Sequence, residues 1–317
     1  MVRSWCLPVA LVWAACASST WKEVRGGHVL LRTDMDDADA VQGVELLDRL
    51  RASAVAALWP GVPGADAIEL QVVSLASGLD FDTLYGPDSM GYGRAASFTE
   101  APTRLIVLWG TPGNWSIGDG DVPNGRSFAV LKGMVWQLGR QIEPSAPPWY
   151  LLGLGENLVP LASTNDGEHT GFGAVNWSAL ERYRKTRLFT VGELMAWDGR
   201  ATTSGACGFP ALEGAAWASV NWMIKVRPEA FTAFRAALRQ GVPTAQAWRT
   251  AFPDLSLDEL GTLVHAYLRK PNQRIWWMAA PPVAQAPPSF RSLSSTEVEA
   301  LLAELKATAP DSIATVR

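Results

Sequence analysis

The chain has 317 residues, 48% of them hydrophobic and 18% charged, with a formal net charge of -4. This composition supplies apolar material for one or two domains with sizeable cores and lacks the charge excess of a disordered chain. No long basic run occurs, so the electrostatic footprint of a nucleic-acid binder is absent.

Residues 1–16 read as an export signal: Arg3 in a short charged region, an apolar stretch from Cys6 to Ala15, then Ala14-Ala15-Cys16. The stretch is too short to cross a bilayer, which takes about 20 apolar residues. The pattern resembles a bacterial lipoprotein signal, which implies lipidation of Cys16, anchoring to the membrane of the cell envelope, and a small polar tether over 17–23. A plain secretory signal, releasing a soluble periplasmic or secreted protein, is the alternative. With Cys6 removed, Cys207 has no partner except Cys16, so a disulfide framework is excluded.

The next unit, 24–124, predicts a small mixed sheet with one long helix. His28–Thr33 is rich enough in branched residues for a strand, and the carboxylates Asp34, Asp36, Asp37 and Asp39 precede a helical apolar period from Val41 to Leu58. Carboxylates so placed cap free amides and favour the positive end of the helix dipole, and the spacing of a calcium loop is missing. Ala67–Leu75, Gly91–Phe98 and Thr103–Trp109 predict further strands, followed by a Gly/Pro/Asn/Asp-rich loop over Thr111–Gly125.

From 125 to 270 the pattern turns helical, with segments over Ser127–Ile142, Pro148–Leu161, Asn176–Thr186, Val191–Trp197, Ala211–Val226, Pro228–Arg239, Thr244–Phe252 and Ser256–Arg269. Thr190 with Glu193 forms a capping-box pattern, and Pro228 sits at a first turn. The fold class is therefore α+β, a small mixed sheet with a long helix followed by a mostly helical subdomain. Residues 271–293 read as a Pro-rich linker, and 294–317 as a short amphipathic helix and tail, which must dock or fray.

Three strings carry a resemblance. Leu131-Lys132-Gly133-Met134-Val135-Trp136 lies on a helix. Pro147-Pro148-Trp149-Tyr150-Leu151-Leu152-Gly153-Leu154-Gly155-Glu156 opens the next one. Ala216-Trp217-Ala218-Ser219-Val220-Asn221-Trp222-Met223 forms a third. In this order they resemble the peptidase-MA-like gluzincins, metallopeptidases with an HExxH helix, over roughly residues 24 to 270. The resemblance implies a zincin-like fold and a zinc peptidase ancestry.

It also implies that the chemistry is gone. In HExxH two histidines one turn apart hold zinc, the glutamate activates the zinc-bound water, and a glutamate of the next helix is the third ligand. Here Lys132 and Trp136 stand at the histidine positions, Gly133 at the general base and Leu152 at the third ligand. Glu213 stands where the family often has a tyrosine. The chain's three histidines, His28, His169 and His265, leave none between 29 and 168, so no register shift restores the site. Zinc is expected to be lost, with no other cofactor implied. Trp136 and Leu152 are large enough to fill the emptied cavity, and a salt bridge from Lys132 to Glu156 or to Glu213 is open to these positions.

The function these residues imply is an exported, lipid-anchored and catalytically inactive metallopeptidase-like protein, with a peptide or protein partner in the envelope. Glu156, Glu213 and Lys132 are its residual polar cleft. Two alternatives stay open: a hydrolase using Glu156, Glu213 or His169, and a structural envelope lipoprotein that docks through its C-terminal segment. Asn165-Asp166-Gly167-Glu168-His169 reads as a solvated loop or a surface metal site, and His265 as a helix-packing histidine.

Overall fold

The computed structural model describes residues 21–77, 97–98, 105–119, 125–128, 130–185, 191–197, 209–272, 274–282 and 287–308. The fold is α+β. The signal with Cys16, the capping box at Thr190 and Cys207 lie outside the described residues.

The hairpin β1 (Lys22–Gly26) and β2 (Val29–Thr33) opens the fold. It is followed by α1 (Asp37–Leu58) and β3 (Leu70–Leu75). Asp36 caps α1, its carboxylate accepting from Asp39 N at 2.8 Å, so the acidic cluster does start the helix. β4 (Ser97–Phe98) and β5 (Leu105–Trp109) follow. Strands β2, β3 and β5 run parallel, with β4 antiparallel at one end and β1 antiparallel on the other side. A strand, a helix and a parallel neighbour is the crossover that sequence and sterics favour here.

Two short strands, β6 (Ile117–Asp119) and β7 (Gly125–Ser127), occupy part of what the composition marks as a loop. Then come α2 (Val130–Ile142) and α3 (Pro148–Leu158). α3 stops three residues before the expected end: Val159 keeps helical angles and donates to the Gly155 carbonyl at 3.0 Å, but Pro160 has no N–H to continue the ladder. The chain continues instead into the hairpin β8 (Pro160–Ser163) and β9 (His169–Phe172). Helices α4 (Trp177–Lys185), α5 (Val191–Ala196), α6 (Phe209–Val226), α7 (Pro228–Arg239), α8 (Thr244–Ala251) and α9 (Leu257–Tyr267) complete the helical part. α9 is capped by Ser256 with Glu259 in a reciprocal box.

The expected linker and tether are corrected by strand pairing. β10 (Trp276–Ala279) pairs with β9, and β11 (Ser289–Ser292) pairs with β1, whose own residues Lys22 and Glu23 fall in the expected tether. Among the described residues the sheets are therefore β11-β1-β2-β3-β5-β4 and β10-β9-β8-β7-β6. The prolines between β10 and β11 hide both strands from a compositional reading, since Pro marks linkers as readily as strand boundaries.

The last helix, α10 (Ser295–Thr308), docks on the body. Alternation along the strands sends Leu70, Val72, Ile106 and Leu108 into the main core with α1 and α2, and Val73, Leu75, Leu105 and Val107 to the opposite face. Leu301 and Leu305 cover that second face. Leu301→Ala is expected to cost about 2 kcal/mol, the low end for a buried leucine in a small satellite core that can relax, measured by urea unfolding.

Candidate functional site

Three helices bring the polar residues together. Lys132 is on α2, Glu156 on α3 and Glu213 on α6. α3 is apolar on nearly every side and sits in the middle, so its neighbours can approach only where its side chains are small. Gly153 and Gly155 provide that: a Cβ on Gly153 would stand 2.4 Å from the Ala216 carbonyl oxygen of α6, and one on Gly155 would stand 2.9 Å from Lys132 Cα of α2. These two close approaches put both carboxylates within reach of one ammonium.

Lys132 Nζ lies 2.7 Å from Glu213 Oε1 and 3.2 Å from Glu156 Oε1. Both salt bridges open to Lys132 in the sequence thus form at once. The Glu156 side chain is 1% exposed, that of Glu213 7% and that of Lys132 15%. Removing ions from water costs several kcal/mol each, and here close pairing and hydrogen bonds offset that cost. Asn176 holds the second carboxylate oxygen: its Nδ2 donates to Glu156 Oε2 at 2.8 Å and to the Glu156 carbonyl at 3.1 Å. The same amide caps α4, since Oδ1 accepts from Ala179 N at 2.9 Å. In the sequence Asn176 opens a helical segment, which is a cap signal, and only the fold shows its second task.

The other degenerate positions are apolar or packed. Gly133 is buried and Leu152 is 5% exposed within the main core. Trp136 is half-buried, its ring tilted against Trp197 at 6.4 Å and under the Arg140 guanidinium at 5.1 Å. Leu152 therefore adds core volume, while Trp136 makes an aromatic and cationic contact nearer the surface.

The histidines are not brought to this site. His169 stands exposed on β9 beside Asp166 and Glu168, the ligand-capable atoms of the three lying within 4.8 Å of one another. Asp166 Oδ1 already accepts from Thr164 Oγ1 at 2.6 Å and Glu168 N at 2.9 Å, and these bonds hold its carboxyl below the usual range. His28 is exposed at the β1–β2 turn, its amide donating to Asp48 Oδ1 at 3.1 Å. His265 is exposed on α9, not packed against its neighbours: Val264 and Leu268 carry the buried stripe, and His265 falls outside it.

Two further polar networks lie near the helix cluster. Asn221 Nδ2 donates to Asn157 Oδ1 at 2.7 Å, and Tyr267 Oη donates to Asn221 Oδ1 at 2.8 Å, tying α3, α6 and α9. Glu143, fully buried just after α2, accepts from Tyr150 Oη at 2.8 Å and pairs with Arg235 at 3.0 Å and Arg239 at 3.4 Å. Burial pushes the Tyr150 hydroxyl well above its usual range, with Glu143 adding to the shift.

Lys225, at the end of α6, lies over the Trp276 ring with Nζ 3.9 Å from its centroid and donates to the Arg274 carbonyl. Burial, then the Arg274 charge, push it from 10.5 down to about 8, and the ring face opposes them by favouring the cation. Desolvation outweighs a single ring contact at a half-buried amine, so the net direction is downward. Between about 8 and 10.5 the folded chain then binds fewer protons than the unfolded one, and stability rises with pH across that window. Urea midpoints measured at pH 7.5 and pH 10 are expected to show a rise in the wild type that Lys225→Met flattens.

The chain matches no family model and no curated protein.

Proposed function

We propose that the chain is a metallopeptidase-like protein whose zinc centre has been replaced by an internal ion-pair cluster, and that it works by holding a peptide or protein segment, not by cutting it. The observation carrying this reading is the Lys132 ammonium, within 2.7 Å and 3.2 Å of two buried carboxylates, at the position where the resemblance would place the first zinc-binding histidine. A fixed cation there repels a metal ion and leaves no metal-bound water to attack a peptide bond. Hydrolysis by Glu156 or Glu213 is disfavoured by their burial and by their shared engagement with Lys132.

A binding role draws support from the sheet. Among the described residues, β4 is the last strand at its end of the six-stranded sheet, and it runs antiparallel to β5. An extended segment recognised by strand addition would join the sheet there. Tethering through a lipid on Cys16 would place this surface at the membrane of the cell envelope.

The test is zinc calorimetry on the protein carrying His169→Ala, which disables the exposed triad, followed by incubation with unfolded casein under hydrogen exchange. A silent titration, intact casein and added amide protection at β4 and β5 are expected. Stoichiometric zinc binding or casein fragments that vanish with Glu213→Gln would refute the reading.

A further inference from the structure

One side of the β10 backbone is unpaired. Among the described residues β10 is the last strand of the five-stranded sheet and pairs only with β9. The Ala280 amide donates to the Glu168 carbonyl at 2.7 Å. Antiparallel pairs alternate between bonded and unbonded, so Met278 and Trp276 also turn their amides and carbonyls toward β9. Those of Trp277 and Ala279 point off the sheet and meet no partner among the described residues. Open edges are commonly guarded by a charge, a proline or a bulge. β11, at one end of the other sheet, carries Arg291, whereas β10 reads Trp276-Trp277-Met278-Ala279 and reaches a proline only at Pro281. Trp277 is 45% exposed, yet it leaves the edge uncovered. Its ring leans back over β9, where a Cβ on Gly171 would meet Trp277 Cε3 and Cζ3 at 3.0 Å.

We infer that β10 is a self-association edge, and that its partner is β10 of a second copy of this chain, paired antiparallel about a two-fold axis at Met278. Trp277 then stands opposite Ala279 of the other copy, and each such pair exchanges both of its N–H···O bonds. The ring shares a face with a methyl group, so the two strands can close to the ordinary spacing of about 4.8 Å. Charge selects this direction over a parallel one. The N-terminal end of β10 is basic: Arg274 is exposed there, and the Lys225 ammonium lies over the Trp276 ring, 3.9 Å from its centroid. The C-terminal end is acidic, with Asp166 and Glu168 exposed in the β8–β9 turn and Glu168 bonded to Ala280. An antiparallel copy sets Ala280 opposite Trp276, so each acidic end meets a basic one, whereas a parallel copy sets like against like. An edge with opposite signs at its two ends is complementary to itself under a two-fold rotation. This surface is independent of the peptide-holding edge at β4, which belongs to the other sheet.

The experiment is sedimentation equilibrium of the full chain over about 1 to 500 μM, the range in which small interfaces associate. A reversible monomer–dimer equilibrium with a Kd of about 10–100 μM is expected. Residue-resolved hydrogen exchange should show protection of the Trp277 and Ala279 amides rising with concentration, while the Met278 amide stays protected throughout. Ala279→Pro deletes only an outward N–H and leaves the ladder to β9 in place, so it should weaken the dimer about tenfold or more without moving the urea midpoint. Ala279→Ser keeps that N–H and should keep the dimer.

Charge reversal supplies a second test that does not depend on the proline variant folding. Glu168→Lys and Arg274→Glu, both at exposed positions, should each weaken self-association. An equimolar mixture of the two should associate more tightly than either alone, because the mixed dimer again sets opposite charges at both ends. A chain that stays monomeric at the highest concentration, a dimer that Ala279→Pro leaves unchanged, or a mixture no tighter than its components overturns the inference. Growth beyond a dimer overturns it as well, since a two-fold edge closes on itself. Casein protection at β4 would stand under each of these outcomes, which separates this inference from the binding role given above.

Discussion

A Gly153→Ala chain is expected to lose about 3 kcal/mol or more of folding stability, more than a typical overpacking substitution. The added Cβ would meet the Ala216 carbonyl oxygen at 2.4 Å and Val220 Cγ2 at 2.5 Å. A backbone carbonyl cannot rotate away, so α3 and α6 would have to separate by roughly 1 Å to reach ordinary C···O contact. That separation opens the core on both sides of Trp217, which is fully buried, and pulls Glu213 away from Lys132. Gly139→Ala is the control. Its Cβ would meet Leu151 Cδ2 at 2.4 Å, the end of a side chain with rotamer freedom. Its cost is expected near 1 kcal/mol, so urea midpoints followed by tryptophan fluorescence should separate the two variants clearly. Equal losses would show that the α3–α6 crossing is no tighter in solution than the α2–α3 contact.

The helices are largely readable because their signals are local. Pro228 and Arg239 bound α7 as their positions suggest, and Asp36 caps α1 as the acidic cluster implies. The convergence of Lys132, Glu156 and Glu213 was readable only as a possibility, through the alignment of three strings. Nothing local says that three helices meet at one point; the two glycines of α3 do, but a glycine in an apolar run reads equally as a weak helix position. The C-terminal segment is hard to read from sequence for a different reason. β10 and β11 are short, their prolines are those of a linker, and their pairing partners lie far back at β9 and β1. Strand pairing of that kind is non-local, so it leaves little trace in a window of neighbours. The same holds for Glu143 and Arg235, which are 92 residues apart.

That buried pair carries the other large expected effect. Glu143 has no exposed surface, and Arg235 is 13% exposed with its guanidinium over the Trp59 and Phe231 rings, 5.8 Å from each centroid. Glu143→Gln keeps the shape and an oxygen for Tyr150 Oη but removes the charge that Arg235 faces. An uncompensated buried cation costs about 3–5 kcal/mol, so the single variant should approach the limit of what a chain of ordinary stability tolerates. Arg235→Met alone should cost less than that, because Arg239, 29% exposed and 3.4 Å from Glu143, can take over the pairing. Combining Glu143→Gln with Arg235→Met should restore part of the loss, since no buried charge then lacks a partner. A double-mutant cycle read by urea unfolding is expected to give a favourable coupling of about 2 kcal/mol. Additive losses would mean that the network fills space without electrostatic coupling, and that the junction of α2, α3 and α7 is held by the packing of Tyr150, Phe231 and Phe234.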